Sequence, residues 1–142
     1  MKTVLALVLS ALLTLGASAQ PLPTPADLRK VTDQIMERVG KGEIEGGLAL
    51  LKSRTVIPQA EFDALVGQVK LQLPAMSQRF GGSLGFEFLR EDKVGENLLR
   101  YTYIHRYEKH AVRWVFYCYR SKGGWVVNSF RYDDNLPALF PG

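Results

Sequence analysis

The chain has one cysteine, Cys118, among 142 residues. A single thiol excludes an intramolecular disulfide, and one Cys with two His at these spacings builds neither a zinc nor a haem site. Cys118 lies in the apolar run Trp114-Val115-Phe116-Tyr117-Cys118-Tyr119, where it reads as a small buried hydrophobe, the alternative being a reactive or dimer-forming thiol. No pattern calls for a cofactor or a metal. Strong charge is also missing. The formal net charge is +4, and the basic residues are spread along the chain, which argues against a nucleic-acid partner. Apolar runs of membrane-spanning length are absent as well. The longest, Val4 to Leu15, falls short of the roughly 20 residues that cross a bilayer.

That run has another meaning. Lys2 supplies a short positive start, and Ala17-Ser18-Ala19 places small residues where a signal peptidase reads. Residues 1–19 therefore read as a signal peptide cleaved before Gln20, and residues 20–142 as a single exported domain, periplasmic or extracellular, soluble and without a membrane span. No Cys stands at the cleavage point, so a lipid-anchored start is not expected.

The domain opens with helical grammar. Thr24-Pro25-Ala26-Asp27 combines a cap, a proline at the first helical position and a capping acid. Leu28, Val31, Ile35 and Val39 follow at helical spacing until Gly40 and Gly42 stop the helix. Glu43–Thr55 predicts a short helix weakened by Gly46-Gly47. Gln59–Phe80 predicts the longest helix, with Phe62, Leu65, Val66, Val69, Leu73, Met76 and Phe80 on one face. Pro74 inside it implies a kink or two abutting helices.

From Ser83 the period changes to two. Leu84, Phe86 and Phe88 alternate with Gly85 and Glu87, and Glu91–Gly95 reads as a polar turn. Leu98–Glu108 is a long strand with Leu99, Tyr101, Tyr103, His105 and Tyr107 on one face and Arg100, Thr102, Ile104 and Arg106 on the other. Val112–Arg120 and Trp125–Tyr132 complete a four-strand meander, with a hairpin at Lys122-Gly123-Gly124. Asp133–Gly142 reads as a tail. Helices followed by hairpin-linked strands make an α+β domain, with N-terminal helices packed on a curved antiparallel sheet.

This element order, with the segment Arg113-Trp114-Val115-Phe116-Tyr117-Cys118-Tyr119-Arg120-Ser121-Lys122-Gly123-Gly124-Trp125-Val126-Val127-Asn128-Ser129-Phe130, resembles the cystatin-like class of folds, and within it the nuclear transport factor two-like superfamily. The topology covers most of the mature chain; the sequence likeness covers the terminal hairpin. The resemblance implies a cone formed by a sheet wrapped around a long helix. That superfamily holds ketosteroid isomerases, dehydratases and many non-catalytic modules, and the fold does not choose among them. No local motif marks a catalytic residue here.

Within such a cone, Tyr101, Tyr103, His105 and Trp114 are the candidate pocket residues, with Tyr101 and Tyr103 facing the long helix and His105 nearer the open end. Two functions are open. One is an exported non-catalytic binding module for a small molecule, another exported protein or a second copy of the chain. The other is a small acid–base enzyme with His105 as base and Tyr101 or Tyr103 as donor. An accessory domain seated on a larger exported partner is a third, and would show a flat apolar patch on the sheet. The plain reading of His105 is a packed histidine, and of His110 a solvated turn residue. Arg100, Arg106, Arg113, Arg120 and Arg131 read either as cross-strand partners of Glu87, Glu96 and Glu108 or as a basic stripe for an anion. Asp133-Asp134 reads as a polar strand exit, or as an acid pair for a cation.

Overall fold

The computed structural model describes residues 19–142; the expected signal peptide lies outside the described residues except for Ala19. Helices α1 (Pro25–Gly40), α2 (Ile44–Lys52) and α3 (Gln59–Phe80) precede strands β1 (Ser83–Val94), β2 (Leu98–Tyr107), β3 (Ala111–Ser121) and β4 (Gly124–Asp133). The strands form one curved antiparallel sheet in the order β1-β2-β3-β4. The α+β architecture expected from the sequence is present. Among the described residues no helix is long and apolar enough to cross a membrane.

α1 starts as its sequence dictates. The Thr24 hydroxyl accepts the Asp27 amide at 3.1 Å, and Pro25 occupies a first-turn position whose missing N–H costs nothing. Leu28, Thr32, Ile35, Met36 and Val39 bury one face. Two glycines let backbone approach backbone. A Cβ on Gly40 would meet the Gly85 carbonyl carbon at 2.9 Å, so α1 can rest directly on β1 there. A Cβ on Gly47 would meet Val39 Cγ2 at 2.9 Å, so the glycine pair that weakens α2 as a helix also seats it on α1.

Three expectations change. β1 runs on through Glu91–Val94 instead of turning there, because Asp92, Lys93 and Val94 pair with Arg100, Leu99 and Leu98; the turn is Gly95–Asn97, where Gly95 takes a φ of 61°. Tyr101 and Tyr103 do face the helical layer, but their hydroxyls reach α1 rather than the long helix: Tyr101 donates to the Pro25 carbonyl at 3.2 Å and Tyr103 to Asp33 Oδ1 at 2.6 Å. α1, not α3, therefore lies across the middle of the sheet. Part of the tail is ordered, since Leu136–Leu139 form a 3₁₀ helix against β3 on the outer face.

The inner face of the sheet is aromatic and closed. Tyr101, Tyr103, His105, Tyr107, Trp114, Phe116 and Cys118 are buried under the helices. Aromatic rings meet edge-on or tilted, as Tyr103 does with Phe88 and Phe116 at 5.1 and 5.7 Å. The free edge of β4 is covered over its first half: Leu22 pairs antiparallel with Trp125, and Thr55 pairs parallel with Val127.

Candidate functional site

α3 is held to the sheet at its two ends. Phe62 meets Phe130 with ring centroids 6.1 Å apart, and Phe80 meets Tyr107 at 5.5 Å. Between these anchors the 22-residue helix buries only Val69, while Leu71 is 83 % exposed. The helix remains continuous through Pro74. Its apolar stripe is thus only partly met by the sheet, and a groove opens between α3 and β4.

The groove has two stretches that share Gln72 and Tyr132, whose hydroxyl donates to Gln72 Oε1. The larger, about 560 Å³, has Met76, Phe80 and Val112 among its apolar walls and Arg79, Asp133 and Asp134 at its polar end. The smaller, about 210 Å³, lies toward Leu65, Val69 and Phe130. Apolar walls with a few convergent polar groups and a volume of several hundred Å³ are the ordinary make-up of a small-molecule site. Trp114 backs the groove from inside the core, stacked on Tyr132 at 5.1 Å and 22°.

Two ionisable groups of the groove, Asp133 and Tyr132, are held in inert states. Asp133 accepts Arg113 through both oxygens at 3.0 and 2.7 Å, and the guanidinium keeps its carboxyl below the usual range. Burial raises Tyr132 and keeps it a phenol. Asp134 lies 3.9 Å from both Arg79 and His110. His110 is not a free turn residue: it is half-buried, with its ring edge-on to Phe80 at 4.8 Å. Asp133 and Asp134 act separately, the first facing Arg113 and Arg131 and the second Arg79 and His110.

The four residues expected to form a pocket lie elsewhere. Tyr101, Tyr103, His105 and Trp114 are each at most 1 % exposed, and none lines the α3–β4 groove. Tyr103 gives its only proton to Asp33 and accepts from the Thr32 hydroxyl at 2.7 Å, so it has no proton left for a ligand. Burial, with the Asp33 bond behind it, raises this tyrosine far above its ordinary range. His105 Nε2 is 2.9 Å from Ser83 Oγ, and burial pushes its pKa down to about 4. Nδ1 has no partner. An Nε2–H donated to Ser83 leaves only a lone pair unpaired, the cheaper of the two tautomers. Cys118 is buried and pushed up to about 12, which leaves it unreactive.

The sequence reading missed the groove because its residues come from a helix stripe and a strand end that look like ordinary packing. The one available signal was the mismatch between a long apolar stripe and its interrupting Pro74. Compared with known protein families, curated proteins and solved structures, the chain matches none.

Proposed function

We propose that the chain is an exported, non-catalytic binding domain of the nuclear transport factor two-like kind, and that its ligand is a small, largely apolar molecule with one polar end. The α3–β4 groove carries this reading: its about 560 Å³ suits such a molecule, with Met76, Phe80 and Val112 for the apolar body and the Arg79–Asp134 end for the polar group. An acid–base enzyme needs a titratable group beside a donor in the site. The groove supplies an ionised Asp133 already committed to Arg113, an Asp134 set between Arg79 and His110, and a protonated Tyr132, and His105 is out of reach inside the core. Export rests on the N-terminal pattern, and the exported form is expected to begin at Gln20 by intact mass.

Titration of the protein with Nile red, an uncharged polycyclic fluorophore, tests the groove. Saturable binding is expected, and Ala75→Trp should abolish it, because Ala75 lines the larger stretch and is exposed on the helix, so the bulky ring fills the groove without disturbing the core. Unchanged binding in that variant overturns the assignment.

A further inference from the structure

The outer face of the sheet carries a second hollow, which meets the groove at the β4 edge, where Arg131 borders both and Asp133 of the groove pairs with Arg113 of the hollow. Each strand sends one arginine to it: Arg90 from β1, Arg100 from β2, Arg113 from β3 and Arg131 from β4. The register explains why. Arg90 pairs with Thr102, Thr102 with Val115, and Val115 with Arg131, so one row across the sheet has long side chains at its ends and short ones in the middle. Arg100 and Arg113 stand in the rows on either side. Thr102 and Val115 form the floor, Ala138 of the 3₁₀ helix forms a lip, and the space is about 100 Å³. That is room for about three waters, or for one compact polar group.

The charges do not balance. Four guanidiniums converge, and the carboxylates paired with them are Asp92 and Asp133. The Glu partners expected from the sequence, Glu87, Glu96 and Glu108, make no ion pair with them among the described residues; the neighbours in register, Asp92 and Asp133, do. Arg100 spends Nε and Nη2 on Asp92, and Arg113 spends Nε and Nη2 on Asp133. Arg90 spends Nε on Asp92 and Nη1 on the Leu139 carbonyl, which also ties down the tail. Arg131 makes no side-chain hydrogen bond among the described residues, and stands 3.9 Å from Asp133. Each guanidinium keeps donors to spare.

We infer that this hollow is a binding site for a phosphate-type oxyanion. Like charges converging on a small space repel one another unless an anion sits between them. Forked N–H donors match tetrahedral and planar oxyanions, and such charge-assisted bonds are the strong ones. The oxyanion is either a free phosphate or the headgroup of an anionic lipid, and the two present the same chemistry to the arginines.

The test is titration of the protein with inorganic phosphate at fixed ionic strength, set beside flotation with phosphatidylglycerol vesicles. Arg131→Gln removes the guanidinium with the most unused donors, at an exposed position whose side chain makes no hydrogen bond among the described residues. Arg106→Gln removes an equal charge from an exposed position of the same face that does not line the hollow. Saturable phosphate binding that weakens about tenfold or more in Arg131→Gln and stays unchanged in Arg106→Gln supports the site. Vesicle capture lost only in Arg131→Gln, without binding of free phosphate, supports it with a lipid headgroup as the source. Absence of both, or equal losses in the two variants, overturns it.

Discussion

At the scale of single residues, the polar groups inside the aromatic face carry the sharpest consequences. The Tyr103 hydroxyl is buried between Thr32 and Asp33. Tyr103→Phe leaves those partners short of a bond in a dry setting and is expected to cost about 1–3 kcal/mol, read from chemical denaturation. His105 has a pH signature. Its folded pKa is about 4, below the ordinary value near 6.5, so the unfolded chain binds the proton more readily. The contribution is full above about pH 6.5 and is lost as pH falls toward about 4, by at most about 3 kcal/mol. His105→Gln, which keeps a donor for Ser83, should flatten that part of the stability profile. An unaltered slope would show that other groups set it.

At the scale of elements, α3 is the weakly held part. Phe62 and Phe80 anchor its ends, and Val69 is the only buried residue between them. Pro74 removes one backbone N–H from the helix interior and crowds the carbonyl of the preceding turn. Pro74→Ala is expected to raise stability by about 1–3 kcal/mol, seen as a higher melting temperature. A lower one would mean that the proline sets a bend that the groove wall requires. β2 and β3 lie in the middle of the sheet with neighbours on both sides and buried aromatic faces, so their amides should exchange last in hydrogen-exchange experiments, and those of α3 well before them.

At the scale of the whole molecule, the sheet divides two kinds of surface. The helical side offers an apolar groove and the outer side a basic hollow. The C-terminal segment matters only to the second. Its 3₁₀ helix buries no residue fully, so a chain ending at Asn135 is expected to fold with a small loss of stability. That chain loses the lip at Ala138 and the Arg90–Leu139 bond, and should bind phosphate several-fold more weakly while binding Nile red as before. Equal loss of both ligands would instead indicate a global effect of the truncation.

The local patterns were enough to place the three α-helices and the four strands, because they depend on short-range rules. Thr24-Pro25 starts α1, the alternation of Tyr101, Tyr103 and His105 makes one buried face, and Gly123-Gly124 turns the last hairpin. The extra length of β1 was not legible, since Glu91-Asp92-Lys93 looks like a turn until Arg100 and Leu99 pair with it. Which helix covers the tyrosines was settled only by three-dimensional packing: α1 and α3 both carry an apolar stripe, and Gly40 lets α1 close onto the sheet and take the centre, where it receives the hydroxyls of Tyr101 and Tyr103. Closing that centre sealed His105 and left the unfilled space along α3. The arginines were visible as a recurring residue type, but their convergence depends on register across four strands and on where the tail returns. Side-chain alternation is a property of one strand and can be read along it; a site shared by several strands exists only once hydrogen bonding has fixed their alignment.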